Sequence, residues 1–373
     1  MKMAIVHDMI VDRGGAERVL YYFHLAFPNV QIYTTAYIPQ STYPEFKTAT
    51  IHSTWYDKIA TTNDRYRKFY FPLGYSAAKS IDLREYDLIL QSTTHGAKYA
   101  KYNQDAVVIS YCYTPFRLVW NTDSYENVGR MKGIKKLLYN SVINFLRKVD
   151  YNAAQRPNYF LAMTKETASR IVKCYNKKVD YIINPPVDCK IFFVSNIIKD
   201  YYLIVSRLEP YKKVDLAIRV FNKLGIPLKI VGNGTQKEYL KSIANNNIEF
   251  ISGISDKDLS KLYSQAKGFV FPQYEDYGIS PLEANASGRP VIAFSKGGVL
   301  ETMIPYNGKN ENVATAIFFD KQTEESLIDA IRINERMDFN PINIRQHAKK
   351  YDVPMFIEKI KSIVEIVVRE NKM

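Results

Sequence analysis

The sequence predicts an α/β protein made of two doubly wound, parallel-sheet units, and three observations carry that prediction. Short apolar, β-rich runs alternate with longer helical patterns through the C-terminal half. The N-terminal half opens in the same rhythm. A proline-rich break, Asn184-Pro185-Pro186-Val187, interrupts the alternation between them.

Taken in order, residues 4–6 read as a first strand, 15–26 as a helix, and 87–90 and 107–110 as further strands. The stretch 131–148 places Ile134, Leu137, Leu138, Val142 and Leu146 at helical spacing, with cations gathered at both ends. It reads as an amphipathic helix packed on its own domain, or as an interfacial helix on an anionic bilayer, and both readings can hold on different faces. Beyond the break, strands are expected at 202–205, 228–231, 248–251, 269–271, 291–293 and 316–319, and helices at 214–224, 256–266 and 324–337. The domains so defined are 1–185 and 186–352, with 184–198 as an extended hinge. In sheets of this kind ligands bind beyond the carboxyl ends of the strands, so two facing sheets put a site in the cleft between them, which hinge closure would shield from water.

Composition narrows the function. The chain has 373 residues, 46% of them hydrophobic and 24% charged, and no apolar run long enough to span a membrane. It enters a strand at once, without the apolar core of a signal peptide, and its three scattered cysteines (Cys112, Cys174, Cys189) suit a reducing cytoplasm better than a disulfide framework. Net charge is +13 and uneven: residues 1–190 hold 26 Lys and Arg against 16 Asp and Glu, and residues 191–373 hold 25 against 22. Such a basic half suits an anionic membrane or an acidic substrate. No helix-turn-helix, RNA-recognition or zinc-finger pattern points to nucleic acid.

The most informative segment is Glu275-Asp-Tyr-Gly-Ile-Ser-Pro-Leu-Glu283. Ser280-Pro281 reads as a helix N-cap and first helical position and Gly288 as the stop, which leaves Glu275 in a loop and Glu283 in the first helical turn. The amides around Gly278, Ile279 and Ser280 then lie at a helix N-terminus, a natural seat for a phosphate. One carboxylate can face a group beyond that phosphate and the other a diol behind it, as a nucleotide sugar requires. Arg207 and Lys212 follow the 202–205 strand and can clamp a diphosphate, a guanidinium for two oxygens and an ammonium as a point charge. Gly14 and Gly15, in Asp12-Arg-Gly-Gly-Ala-Glu-Arg18, permit close backbone approach before a helix but do not fit a dinucleotide fingerprint. Gly232-Asn233-Gly234 reads as a strand-to-helix turn. Asp256-Lys-Asp258 spells a metal motif but opens a helix, where acids complement the dipole, and the five histidines form no metal cluster. No metal and no resident cofactor are expected.

The segment 275–283, with Tyr277-Gly278, the run Pro281-Leu282-Glu283-Ala284, the following Ala286–Ala293 stretch and Gly297-Gly298, resembles the signature of family 4 retaining glycosyltransferases. That resemblance, which runs from Gly14 to the 290s, implies the GT-B fold, with the last helix (about 353–369) returning to the N-terminal domain. It implies hexose transfer with retention from a nucleotide sugar, Glu275 on the sugar, Glu283 on the ribose, and Arg207 and Lys212 on the diphosphate. Gly14, Gly15 and the 278–280 amides complete the phosphate seat, Tyr277 joins them as a donor contact, and Gly232 and Gly234 border the nucleoside. The subgroup it resembles is bacterial surface-polysaccharide mannosyltransferases that use GDP-mannose on lipid-linked acceptors at the inner leaflet. The alternatives it leaves open are a UDP-sugar transferase, a GT-B epimerase and a non-catalytic nucleotide-sugar-binding protein. Where those relatives carry a histidine facing the donor sugar, this chain has Tyr113, a poor base at neutral pH. His95 is a candidate substitute for it, and Lys98 and Arg117 are candidates for a phosphorylated acceptor.

Overall fold

The computed structural model describes residues 1–60, 62, 73–120 and 133–373. They form two compact units, Met1–Asn184 with Ile357–Met373, and Pro185–Phe356. Met131 and Lys132 of the basic stretch, and the side chains of Ile134, Lys135 and Leu138, lie outside the described part.

The first unit holds a seven-stranded sheet: β1 (Met3–His7), β2 (Gln31–Thr34), β3 (Ile51–His52), β4 (Leu88–Thr93), β5 (Val107–Cys112), β6 (Tyr159–Ala162) and β7 (Tyr181–Ile182). The order is β3-β2-β1-β4-β5-β6-β7, every pair parallel, so chain order reverses between β1 and β4. Every residue of β4 and β5 is buried, as central strands covered on both faces require. Polarity hid the end of β4. Gln91, Ser92 and Thr93 extend it past the expected apolar run, because the hydroxyls of Ser92 and Thr93 find partners in the interior. The basic stretch forms the helix Gly133–Ala154. Among the described residues no helix is long and apolar enough to cross a membrane.

The second unit holds a six-stranded parallel sheet: β8 (Tyr202–Val205), β9 (Leu228–Val231), β10 (Ile248–Ile251), β11 (Gly268–Phe271), β12 (Val291–Phe294) and β13 (Ala316–Phe319), in the order β10-β9-β8-β11-β12-β13. Chain order reverses here between β8 and β11. The helix Val214–Leu224 lays Leu216, Ala217, Val220 and Phe221 on the sheet, with Leu327 and Ile331 of the helix Glu324–Arg336 in the same core. Fully burying the leucine, valine, isoleucine and phenylalanine side chains among these stabilises by about 1.5–3 kcal/mol each. Asp256-Lys-Asp258 is a helix start: Ser255 caps Asp256–Gln265 by accepting from the Asp258 amide.

One expected boundary is corrected. The helix after β11 runs Ile279–Ala286, with Gly278 at its cap in a positive-φ conformation (φ 97°), so it begins before Ser280. Pro281 still falls in the first turn, where its missing N–H is harmless. Glu283 therefore lies in the second turn, not the first. Gly288, at φ 72°, ends the segment as expected.

Candidate active site at the switch point of the second unit

The reversal of strand order between β8 and β11 opens a crevice beyond their carboxyl ends, where the loops diverge to opposite sides. The loop after β8 supplies Arg207, which is exposed, and Lys212, at the end of the 3-10 turn Pro210–Lys212. The loop after β11 supplies Glu275. The Lys212 ammonium lies directly against the Glu275 carboxylate, with the side chains 12% and 18% exposed. Both groups are thus partly desolvated, which strengthens their attraction and leaves each within reach of a ligand.

Close backbone packing holds these loops. The Leu208 amide donates to the Asn233 carbonyl at 2.9 Å, and a Cβ on Gly234 would lie 2.4 Å from the Leu208 carbonyl oxygen. A Cβ on Gly232 would lie 1.9 Å from that of Ser206. Both glycines let the loop after β9 press on the Arg207 loop. On the other side, Glu275 bridges to Gly297, and the Gly298 amide donates to the Glu275 carbonyl at 2.9 Å. Gly297 and Gly298 were legible only as part of the family signature, yet they are what fixes the 275–277 backbone.

The first turn of Ile279–Ala286 has no side-chain cap, so the Ile279 and Ser280 amides end the helix as donors. Glu283, on the same helix, accepts a 2.8 Å hydrogen bond from the Tyr263 hydroxyl. Sequence reasoning missed Tyr263 because an aromatic on an amphipathic helix gives no sign of a polar contact. Tyr277 is corrected as a donor contact: its side chain is buried and its hydroxyl donates to the Pro185 carbonyl at 2.6 Å, so the ring anchors the start of the unit.

The first unit has its own polar cluster, at the carboxyl ends of β1, β4 and β5. Gly14 and Gly15 begin the helix Gly15–Ala26, beneath which Glu17 is buried. A Cβ on Gly14 would meet the Glu17 carboxylate at 2.4 Å, so any larger residue there would have to displace the Glu17 side chain. Burial, then the nearby Asp12 charge, pushes the Glu17 carboxyl well above the usual range. Asp8 accepts from Thr93 Oγ1 and from the amides of Thr94, His95 and Ala97 at 2.6–3.1 Å, which fixes the loop that carries His95. Burial opposes the ionised form of Asp8, but His95, His7 and these donors outweigh it and lower its pKa. His95 stacks on Phe116 and has its Nδ1 3.4 Å from Asp8. Burial pushes the His7 imidazole down to about 4.

Two further expectations change here. Lys98 does not face an acceptor: its side chain is fully buried, paired with Asp150 at 2.6 Å and donating to the Tyr175 hydroxyl at 2.7 Å. Desolvating an ammonium is tolerable only with such a partner, and Tyr99 and Trp120 complete the Asp150 shell. Tyr113 is also internal. Its hydroxyl lies 2.8 Å from Ser92 Oγ and donates to the Ala16 carbonyl at 3.1 Å, and Ser92 Oγ sits 2.9 Å from His7 Nδ1. The phenol thus ties β4 to the glycine loop rather than presenting itself to a sugar. Arg117, half-buried, opens the short helix Arg117–Trp120.

With this geometry in place, comparison with known proteins is informative. Residues 190–351 match the family model described as glycosyl transferases group 1, which spans the crevice residues of the second unit. The second unit is thus similar to group 1 glycosyl transferases over residues 190–351. The match falls on the segments that carry the resemblance to family 4 glycosyltransferases in the second unit. Among curated proteins, the chain is 26% identical over 264 residues to the alpha-1,3/1,6-mannosyltransferase ALG2 of Saccharomyces cerevisiae, covering 56% of this chain and 50% of that protein. It is 24% identical to the ALG2 protein of Kluyveromyces lactis, over 82% of this chain and 72% of that one. The chain spans half to about two thirds of the length of the first curated relatives it matches. Among solved structures it superposes on sucrose-phosphate synthase from Thermosynechococcus elongatus with a TM-score of 0.73 at 15% identity, covering 99% and 100% of the two chains. It also superposes on Anabaena HepE in complex with UDP and glucose with a TM-score of 0.70 at 14% identity, covering 98% and 99%. The fold is the GT-B fold of glycosyltransferases.

Proposed function

We propose that the chain transfers a hexose from a nucleoside diphosphate sugar to a hydroxyl acceptor, with retention at the anomeric carbon. One observation carries the reading: at the switch point of the second unit, Glu275 and Lys212 meet beside an uncapped helix N-terminus, with Arg207 on the neighbouring loop. Arg207, Lys212 and the Ile279 and Ser280 amides hold the diphosphate and neutralise the charge that grows on it as the glycosidic bond breaks. Glu283 holds the ribose diol, and Glu275 faces the sugar hydroxyls. The C1–phosphate bond breaks, the acceptor oxygen bonds to C1 on the same face, and the departing phosphate oxygen takes the acceptor proton. Protein cations do the work a divalent metal does in other transferases, so turnover is metal-independent.

Mannose from GDP-mannose is the donor favoured by the similarity to ALG2 proteins; UDP-glucose is the competing donor, since the structural neighbour HepE is recorded with UDP and glucose. A lipid-linked acceptor suits the helix Gly133–Ala154, on which Leu137, Val142 and Phe145 are exposed beside Lys136 and Lys148. The test is calorimetric titration with GDP and UDP, then sugar release or transfer from GDP-mannose and UDP-glucose, with and without a chelator. Micromolar binding of one nucleotide and chelator-resistant turnover are expected. Binding of neither nucleotide, or turnover restored only by magnesium or manganese, would overturn the corresponding part of the reading.

A further inference from the structure

Tyr263 stands outside every motif discussed above. It lies on the helix Asp256–Gln265 and is 1% exposed, its ring held edge-on by Phe192 at 5.4 Å and against Phe269 at 5.5 Å. Its helix is fastened to the rest of the unit by Ser260 Oγ, which donates to the Ile191 carbonyl at 2.6 Å, and by Arg289 Nε, which donates to the Ser264 carbonyl at 3.0 Å. The phenol therefore presents its hydroxyl from a fixed place. That hydroxyl donates to Glu283 Oε2 at 2.8 Å.

We infer that Tyr263 is a positioning residue that locks the Glu283 carboxylate in the orientation that receives a ribose diol. The inference rests on the assignment of Glu283 to the ribose. A carboxylate with one oxygen held by a rigid phenol is restrained about its last torsion, which biases the direction of its other oxygen before the ligand arrives. Preorganisation of this kind spares the ligand the cost of ordering the side chain. Without the phenol, Oε2 loses this donor in a partly buried place, and the carboxylate is less firmly oriented. A hydrogen bond to a charged group is worth about 1.5 kcal/mol at the low end of its range, which corresponds to about tenfold in affinity. The effect should depend on the diol, because Tyr263 acts only through the group that binds it.

The experiment uses the full chain with Tyr263→Phe and Glu283→Gln, each titrated with the nucleoside diphosphate that the wild type binds more tightly, and with its 2′,3′-dideoxy counterpart. Tyr263→Phe keeps the ring between Phe192 and Phe269, and a thermal melt confirms folding. The expected result is an approximately tenfold loss for the ribonucleotide and none for the dideoxy form, with donor KM rising far more than kcat falls. Glu283→Gln should erase the same preference. If Tyr263→Phe weakened both ligands alike, or neither, while Glu283→Gln removed the preference, the positioning role would be wrong and the ribose assignment would stand. If Glu283→Gln kept the preference for the ribonucleotide, the ribose assignment itself would fail and the role of Tyr263 with it.

Discussion

At the scale of single residues, the Lys212–Glu275 pair makes the sharpest prediction. In Glu275→Gln the carboxylate that partners the ammonium is gone, so Lys212 is freer to serve a diphosphate. Bare nucleoside diphosphate should then bind as tightly as to the wild type or more so. Turnover should nonetheless fall by about 10²–10³, the usual loss when an electrostatic contact realised in the transition state is removed. Calorimetry and kcat measured on the same variant check this, and an abolished nucleotide affinity would show that Glu275 grips the nucleotide instead. The residues of this site were largely legible, because Glu275, Glu283, Arg207 and Lys212 sit in loops and at a helix start whose punctuation is local. Lys98 was not. Its partner Asp150 stands far along the chain on another helix, and a sequence shows a lysine's charge but not the tertiary pairing that lets it be buried. Tyr113 was misread for a similar reason, since its hydroxyl is engaged by Ser92 on β4 and Ala16 at the glycine loop.

Among the elements, the helix Val214–Leu224 was read to the residue from its apolar pattern, and in the structure left-handed backbone at Lys213 and at Gly225 bounds it on both sides. The helix Ile279–Ala286 was read late because Ser280-Pro281 imitates a cap and first position, while Gly278 supplies the real turn at φ 97°. What the sequence could not show is that another element clamps the loop before this helix. Gly297 has φ 86°, and a Cβ there would lie 2.1 Å from the Glu275 carbonyl oxygen. Gly297→Ala should therefore push the Glu275 backbone out of place, raising donor KM and lowering kcat as well as the melting temperature. Gly225→Ala is the control, because Gly225 shares the positive φ (68°) but a Cβ there meets nothing within 4 Å. It should lose about 1–2 kcal/mol of stability from the left-handed backbone alone and leave donor KM untouched. Equal kinetic damage from both substitutions would mean that the Gly297 effect is general destabilisation and not a displaced loop.

Over the whole molecule, charge and exposed apolar surface point the same way. Most of the excess of cations, +10 of +13, falls in residues 1–190, and the helix Gly133–Ala154 in that region exposes Leu137, Val142 and Phe145 alongside Lys136 and Lys148. Apolar side chains left exposed among the described residues gain by entering the acyl boundary of a bilayer, and each cation near an anionic surface adds about 1 kcal/mol. No single term is large, so the association should be reversible and sensitive to salt, with a Debye length of about 8 Å at physiological ionic strength. Co-sedimentation with vesicles is expected to rise with the fraction of anionic lipid and to fall as salt is added. Phe145→Ser should weaken binding at every salt concentration, because it removes buried apolar area. Lys136→Glu with Lys148→Glu should weaken it mainly at low salt, because it reverses charge. Equal binding to neutral and anionic vesicles would rule out the electrostatic half of this argument, and binding to neither would rule out membrane association through this helix altogether.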